Sequence, residues 1–376
     1  MKLCVFPNDP LSAYLEKGEI KSRYFNPQNM FDEIHVISLF DSDANEEDVK
    51  QVAGTAKLRI HVVGKVNLLN KNKKKKQIVD LIKKINPDII RSFNPLLQGW
   101  MAGQVKQELG IPLVISLHGD YDRDLRYQSK KKHDYKEFLK LQISKHALEK
   151  FSLSVADEII IIYEFVREYA MKMGGTSINL IYNRVDLSKF SPKIKSEFKE
   201  TKPVIICVGR LIKEKNQECL IRAIKDLDVK LLLVGNGVEY ENLKDLVSSL
   251  KIDEKVEFET SIPHEKIHSY YASSDIFALP IKYGGFAIPA LEAAATGIPV
   301  ILPKQEFDPN PDLIKDFALL VDNNPKSFKD AIQKVLSDKS LRDNLILNGL
   351  AVTKEISSEI MEEKEKQLYL KLLKKK

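Results

Sequence analysis

The chain has few cysteines and no long apolar run, and each shortage excludes a class of protein. Only three of its 376 residues are cysteine, Cys4, Cys207 and Cys219. Their odd number and unrelated spacing indicate neither a disulfide framework nor a zinc site. No window approaches the roughly 20 apolar residues that a membrane span needs, and the apolar start ends at Asn8, too early for the core of a signal peptide. We therefore expect a protein of the reducing cytoplasm.

The composition is also without extremes. Hydrophobic residues make up 43% and charged residues 30% of the chain, which is typical of globular proteins and excludes disordered and collagen-like chains. The formal net charge is +6. Residues 1–190 contain 30 basic and 24 acidic side chains, whereas residues 191–376 contain 29 of each. The positive excess therefore lies in the first half, which predicts an anionic partner there.

Short runs of Val, Ile and Leu alternate with helical patterns along the whole chain, which indicates parallel βα units. The predicted strands are 3–6, 34–39, 59–63, 88–91, 113–117, 158–162, 179–182, 204–208, 230–234, 255–259, 276–279, 299–302 and 318–321. The gaps between them are mostly helical in pattern. The sequence therefore predicts an α/β protein with two Rossmann-like, doubly wound domains that face each other across an interdomain cleft.

A polar stretch divides the two series of strands. Residues 187–203 are flanked by prolines and show no clear period, so we interpret them as a linker. The first domain is then 1–186 and the second 204–354. Residues 355–376 form a charged helix whose apolar stripe needs a packing partner, and we expect that helix to pack back on the first domain.

Residues 275–300 are the most informative for function. A strand ends at Pro280, and a helix opens near Gly285, Phe286 and Ala287. Backbone amides at a helix opening lack partners within the helix and suit a phosphate or sugar hydroxyls. Glu292 follows in an otherwise apolar helix, where a buried unpaired acid would be costly, so ligand hydroxyls are a candidate partner. A surface or salt-bridged glutamate is the alternative.

A second motif places two cations after a strand. Gly209 and Arg210 follow the strand 204–208, and Lys215 stands five residues further on. Fixed cations at the carboxyl edge of a sheet suit a diphosphate, with Arg making a forked contact and Lys acting as a point charge. Ordinary solvated surface cations are the alternative.

A third motif is His118, just past the strand 113–117. An imidazole at that edge can hydrogen-bond a sugar or share a proton. A structural histidine with satisfied hydrogen bonds explains the residue equally well.

Taken in order, these motifs resemble family 4 glycosyltransferases, which are retaining enzymes of the GT-B fold. The resemblance rests on GRL with EK at 209–215, VEFETSIPHEKIHSYYASSDIFALP at 256–280 and GGFAIPALEAAATGIPVI at 284–301. His118-Gly119, YNRVD at 182–186 with Phe190, and LVGNG at 233–237 resemble further family segments. The ordered series is more specific than any of its members.

The resemblance implies a reaction and its participants. A sugar would pass from a nucleoside-diphosphate sugar to a hydroxyl acceptor that is a glycan, a lipid-linked molecule or a small molecule. The second domain would hold the donor and the first the acceptor. The departing phosphate would help to deprotonate the acceptor, with retention of configuration. Neither a cofactor nor a metal would be needed, because an arginine and a lysine replace the metal.

The resemblance also assigns residues. Those that match Arg210 and Lys215 bind the donor diphosphate and stabilise the leaving group, and the one that matches Glu292 holds the ribose hydroxyls. His118 would touch the donor sugar. The remaining donor-binding positions would be Gly209, Gly284, Gly285, Phe286 and Ala287.

The sequence departs from the family pattern at one important position. Gly284 stands eight residues before Glu292, where the family has a glutamate that contacts the donor sugar. A different sugar, a neighbour such as Tyr283 in its place, or lost catalysis would each explain the change. A catalytically idle protein that binds sugar nucleotides is therefore an alternative function.

Two further features bear on other classes. The segment GNGVEY at 235–240 lacks the third glycine of the dinucleotide fingerprint, which argues against a nicotinamide dehydrogenase. The basic stretches 71–76, 130–133 and 374–376 are interpreted first as solvated charge. Their functional interpretation is peripheral contact with the inner face of an anionic membrane, or with a lipid-linked or acidic acceptor. A non-catalytic protein that binds membranes or polyanions is thus another alternative, whereas no nucleic-acid motif is present.

Overall fold

The structure is a computed structural model that describes residues 1–374, except 17, 19, 194, 195, 199, 261, 264, 265, 283–287 and 305–316. The chain forms two compact units. Unit 1 consists of Met1–Tyr182 and Glu359–Lys376, and unit 2 consists of Asn183–Ser358. Each unit contains one sheet, so the prediction of two α/β domains with doubly wound sheets is confirmed.

Unit 1 is built around seven parallel strands in the order β3-β2-β1-β4-β5-β6-β7. The strands are β1 Lys2–Phe6, β2 Glu33–Ser38, β3 Lys57–Val62, β4 Ile89–Ser92, β5 Leu113–Leu117, β6 Glu158–Ile161 and β7 Ile178–Leu180. The strands β4, β5 and β6 are buried along their whole length. A strand that is buried on both faces needs apolar side chains at successive positions, which explains runs such as the three isoleucines at 159–161.

The helices of unit 1 connect these strands. They are α1 Leu11–Glu16, α2 Glu46–Val49, α3 Lys71–Ile85, α4 Leu97–Leu109, α5 Gln128–Lys131, α6 Tyr135–Ser144, α7 Lys150–Val155 and α8 Arg167–Lys172. Two π-helical turns, Asp122–Tyr127 and Lys145–Glu149, flank the α5–α6 segment. The connection between β5 and β6 is therefore the longest excursion from this sheet.

The described part of unit 2 contains six parallel strands in the order β10-β9-β8-β11-β12-β13. They are β8 Val204–Val208, β9 Lys230–Val234, β10 Val256–Glu259, β11 Ile276–Ala278, β12 Val300–Pro303 and β13 Ala318–Val321. The described helices are α9 Gln217–Ala223, α10 Tyr240–Leu250, α11 Ile267–Ala272, α12 Ile288–Thr296, α13 Pro325–Ser337 and α14 Lys339–Glu355.

Both sheets contain a point at which the strand order reverses. In unit 1 β1 lies between β2 and β4, and in unit 2 β8 lies between β9 and β11. Connections on the two sides of such a point diverge and leave a crevice at the carboxyl ends of the strands. The loops after β1, β4 and β8 are therefore placed where doubly wound folds bind ligands.

The last helix, α15 (Ser358–Lys374), packs on unit 1. It buries Met361, Leu368, Tyr369 and Leu372, while Ile360 remains 42% exposed. The sequence predicted one helix over 355–376. Instead, α14 ends at Glu355 and α15 begins at Ser358. The buried Ile356 between them accepts a hydrogen bond from the Val185 amide.

The stretch 187–203, predicted as a linker, lies within unit 2 in the structure. Phe190 is buried and its ring lies 6.1 Å from that of Tyr271. The Glu197 amide donates to Ser273 Oγ at 2.7 Å. These contacts attach the stretch to α11 and the turn that follows it, so its polar composition reflects a surface segment of the unit.

Candidate active site

The loop after β8 carries the first predicted residues. Gly209 continues the strand and donates its amide to Val234 O at 2.9 Å. Gly235, at a φ of +137°, crosses directly over it, and a Cβ at Gly235 would lie 2.3 Å from Gly209 O. A Cβ at Gly237 would lie 2.2 Å from Leu211 O. Gly235 and Gly237 thus allow two backbone segments to come into contact. Their presence therefore does not require a bound dinucleotide.

Arg210 and Lys215 lie close together in this loop. Arg210 is exposed and Lys215 is half-buried. The Lys215 side chain passes over Gly209, with Cδ and Cε each 3.8 Å from where a Cβ on that glycine would stand. Burial lowers the pKa of Lys215, and the neighbouring Arg210 guanidinium lowers it further. A bound anion would relieve both penalties, because it supplies the counter-charge that this pair lacks among the described residues.

Three amide side chains hold the loop in place. Gln217 Nε2 donates to Arg210 O at 3.0 Å. Asn216 adopts a left-handed conformation, with a φ of +57°, and donates to Asn323 Oδ1 at 3.1 Å. Asn323 in turn donates to Pro280 O and Ile281 O, both at 3.1 Å. Asparagine suits this position because, after glycine, it is among the residues that tolerate a left-handed conformation best.

Glu292 lies in α12 and is 6% exposed. Its Oε2 accepts a hydrogen bond from the buried Tyr271 hydroxyl at 3.3 Å. Burial and the neighbouring carboxylate raise the pKa of Tyr271 well above its usual value. The tyrosine hydroxyl therefore stays protonated and orients the Glu292 carboxylate. Sequence reasoning missed Tyr271, whose only signal was a tyrosine on the apolar side of the helix before β11.

Four predicted donor-binding residues, Gly284, Gly285, Phe286 and Ala287, lie outside the described residues. Just before them, the Lys282 amide donates to Glu214 O at 2.8 Å. The chain that leaves β11 is thus joined to the loop that carries Arg210 and Lys215. Of the predicted donor residues, the structure brings together Gly209, Arg210 and Lys215.

His118 follows β5 in unit 1 and keeps an exposed face. Its ring stacks on that of Phe93, with centroids 6.2 Å apart and an interplanar angle of 18°. Surrounding protein atoms, and then the positive charge of Arg91, lower the pKa of His118 to about 4. The imidazole is therefore neutral at physiological pH and offers one N–H donor and one acceptor nitrogen.

A buried arginine lies beneath this pair of rings. Arg91 in β4 is 5% exposed, and its guanidinium carbon lies 4.9 Å from the Phe93 ring centroid. Its nitrogens donate to Glu365 Oε1 at 2.7 Å, to the Tyr369 hydroxyl at 2.5 Å and to Ser116 Oγ at 2.7 Å. The last helix thus reaches His118 through Arg91 and Phe93, a connection that the sequence did not predict.

Two carboxylates follow His118. Asp120 Oδ1 accepts from the amides of Asp122 at 2.9 Å and Arg123 at 3.1 Å, which turns the chain sharply. The carboxylate of Asp124 lies over Gly119, where an added Cβ would stand 2.5 Å from Asp124 Oδ2. Burial raises the pKa of Asp124 to about 6, and Asp120 adds to the effect. The carboxyl edge of β5 therefore presents polar groups suited to hydroxyls.

The described part of the chain offers neither a metal site nor a membrane span. No group of three His, Cys, Asp or Glu side chains there is arranged to hold a metal ion. Among the same residues, no helix is long and apolar enough to cross a membrane.

Comparison with known proteins identifies the family. The model for "Glycosyltransferase Family 4" matches residues 28–189, and that for "Glycosyl transferases group 1" matches residues 189–351. The chain is 30% identical over 182 residues to a GDP-mannose-dependent phosphatidylinositol monomannoside mannosyltransferase of Mycolicibacterium smegmatis, covering 43% of this chain and 47% of that protein. It is 27% identical over 339 residues to a UDP-Gal:α-D-GlcNAc-diphosphoundecaprenol α-1,3-galactosyltransferase of Escherichia coli, covering 82% and 81%. Several matches, including the first, span only about half of the relative's length.

Solved structures agree on the fold. Sucrose-phosphate synthase of Thermosynechococcus elongatus superposes with a TM-score of 0.75 at 18% identity, over 100% of both chains. HepE of Anabaena in complex with UDP-glucose gives a TM-score of 0.72 at 14% identity, over 97% of this chain and 98% of that one. With both family models matched in order and this fold, the chain belongs to the family 4 (group 1) glycosyltransferases.

Proposed function

We propose that this glycosyltransferase is a retaining, metal-independent enzyme that moves a sugar from a nucleoside-diphosphate sugar to a hydroxyl acceptor. The observation that carries the proposal is the pair of cations after β8. Arg210 and Lys215 lie close enough for one to lower the pKa of the other, at the point where the strand order of the sheet reverses. Two neighbouring positive charges that form no ion pair within the described part of the chain suit the two phosphates of such a donor.

The cation pair also suits the chemistry. When the bond between sugar and phosphate breaks, negative charge develops on the departing diphosphate. Fixed positive groups beside that charge stabilise the transition state more than the ground state. Arg210 and Lys215 would supply this stabilisation in place of a metal. The departing phosphate would then accept the proton of the acceptor hydroxyl on the same face of the sugar, so that configuration is retained.

Other residues would position the donor. Glu292, held by Tyr271, would accept hydrogen bonds from the ribose hydroxyls. The backbone amides of Gly285, Phe286 and Ala287 would contact the sugar or the phosphates. His118, neutral because its pKa is lowered to about 4, would hydrogen-bond the donor sugar without adding charge.

We further propose a lipid-linked acceptor and peripheral contact with an anionic membrane. The support is twofold. Relatives act on phosphatidylinositol mannosides and on a diphosphoundecaprenol-linked sugar, as their names state. The positive excess of the chain lies within residues 1–190, the half assigned to the acceptor.

A direct test is thermal unfolding of the purified protein with a panel of UDP-, GDP- and ADP-sugars. A donor that binds only the folded state raises the unfolding temperature. The anomeric configuration of the product, read by NMR, tests retention, and activity in EDTA tests metal independence. No shift with any nucleotide sugar, in a folded sample, would refute the proposal.

The cation pair is tested by substitution. We expect Arg210→Ala or Lys215→Ala to lower kcat by about a hundredfold or more. Lys213→Ala is the matched control, because Lys213 is an exposed lysine of the same loop. Equal losses of kcat in all three variants would show that the pair has no special role.

One alternative function is supported by a specific observation. Gly284 stands where a donor-contacting glutamate is expected, which favours a protein that binds a sugar nucleotide without transferring it. Slow hydrolysis or transfer of the donor that disappears in Lys215→Ala would exclude this alternative.

A further inference from the structure

The helix α6 presents an apolar stripe that is largely exposed. Tyr135, Leu139 and Ile143 are spaced at intervals of four residues and expose 65%, 63% and 53% of their surfaces. This spacing places all three on one side of the helix. None of the ten residues of α6 is buried, although a helix on a globular surface normally directs its apolar side into the core.

Lysines flank the stripe. Lys136 and Lys140 follow Tyr135 and Leu139 directly and repeat with the same spacing, so they form a second row beside the first. Both are exposed. Residues 130–145 contain six lysines and two acidic residues. Lys140 is paired with Glu137 at 3.2 Å, but an exposed pair of this kind offsets little of the local charge.

The helix is nevertheless anchored from its other side. Arg126 donates to Leu141 O with two nitrogens, at 3.1 and 2.9 Å, and to the buried Glu149 at 2.5 Å. At the start of the helix, the Asp134 side chain accepts from the Glu137 amide at 3.0 Å. The apolar stripe is therefore held facing outward by a built framework.

The other basic stretch of this unit is used differently. On α3, Lys71 lies over the Trp100 ring at 3.5 Å. Lys74 donates to Val63 O at 2.5 Å, and Lys75 pairs with Glu108 at 2.5 Å. Three of the six residues 71–76 thus make contacts inside unit 1. The helix α6 is therefore the better candidate for contact with a partner.

We propose that the exposed face of α6, formed by Tyr135, Leu139 and Ile143 with Lys136 and Lys140, docks onto an anionic lipid bilayer. An apolar stripe bordered by lysines is the pattern that binds the boundary between headgroups and acyl chains. A second copy of the chain would bring the same lysines against each other, and a polyanion would leave the stripe exposed. This proposal rests on the membrane contact in the proposed function and names the surface that would make it.

The test is binding to vesicles of phosphatidylcholine with and without phosphatidylglycerol, measured by co-flotation. We expect binding only with the anionic lipid, weakening as salt increases. Lys136→Gln with Lys140→Gln should weaken it roughly 25-fold, at about fivefold per lysine. Lys83→Gln with Lys84→Gln removes the same charge from exposed positions of α3 and should leave binding near that of the unchanged protein.

The apolar stripe has its own variant and control. Leu139→Ser with Ile143→Ser should weaken binding by about tenfold per side chain. Leu347→Ser is the control, because Leu347 is also 63% exposed but lies in unit 2. Thermal stabilisation by nucleotide sugars, measured on the same samples, separates a failure of this proposal from a failure of the donor assignment.

Three results would overturn the proposal. The first is no binding to anionic vesicles by a protein that still binds its donor. The second is equal binding by the stripe variant and the Leu347→Ser control. The third is a protein that forms dimers in solution and becomes monomeric in the stripe variant while its vesicle binding is unchanged.

Discussion

Replacing Glu365 by alanine should be one of the most damaging single changes in unit 1. Glu365 is 9% exposed and Arg91 is 5% exposed, and their closest atoms are 2.7 Å apart. Removing the carboxylate leaves a buried guanidinium without its counter-charge, which typically costs about 3–5 kcal/mol. Tyr369 loses an acceptor at 2.8 Å in the same change. We therefore expect the free energy of unfolding of unit 1 to fall by about 3–5 kcal/mol.

The assay can isolate this unit. Trp100 is the single tryptophan of the chain, is 7% exposed and lies in unit 1. Its fluorescence during urea unfolding therefore reports on unit 1 even where the two units unfold separately. Glu359→Ala, an exposed change in the first turn of the same helix, is the control and should cost no more than about 1 kcal/mol.

Two outcomes decide the reasoning. If the ion pair acts as described, Arg91→Met with Glu365→Met should be much more stable than Glu365→Ala, because no buried charge is then left uncompensated. If Glu365→Ala costs no more than Glu359→Ala, the argument from buried charge is refuted.

Three further predictions concern other residues. Tyr271→Phe removes the hydroxyl that orients Glu292 and should lower donor affinity several-fold in calorimetry, with folding retained. Gly235→Ala forces a Cβ to within 2.3 Å of Gly209 O, so it should lower the unfolding temperature and donor affinity together. Asp124 has a folded pKa of about 6 against an ordinary 3.8, so the folded state binds more protons and stability falls as pH rises from about 4 to 6. Asp124→Asn should flatten that decline in urea titrations at several pH values.

The strands were the most predictable part of the fold. The predicted ranges for β5, β8, β9 and β13 coincide with the observed strands. For β5, β8 and β9 the reason is that strands buried on both faces need unbroken apolar runs. The start of α15 was less predictable. Glu355, Ile356 and Ser357 continue the helical pattern, and the break shows only in the structure, where backbone hydrogen bonds join Val185 to Ile356 and Ser358.

The candidate site divides in a similar way. Gly209, Arg210 and Lys215 are neighbours in sequence, so their proximity follows from one strand and one turn. The contact between Arg91 and Glu365 joins residues 274 positions apart, and no local pattern records it. Tyr271, which donates to Glu292, was missed for the same reason, since it lies on a different helix.

The return of α15 to unit 1 has a consequence for synthesis. Glu158, buried in β6, pairs with Lys371 at 2.9 Å. Arg91 pairs with Glu365 of the same helix. A ribosome makes Lys371 and Glu365 only after all of unit 2 has been translated, long after it has made Glu158 and Arg91. Unit 1 is therefore begun first and completed last, with charged groups in its sheet uncompensated in the meantime. A nascent chain stopped after unit 2 should expose this half of the protein to proteases and chaperones.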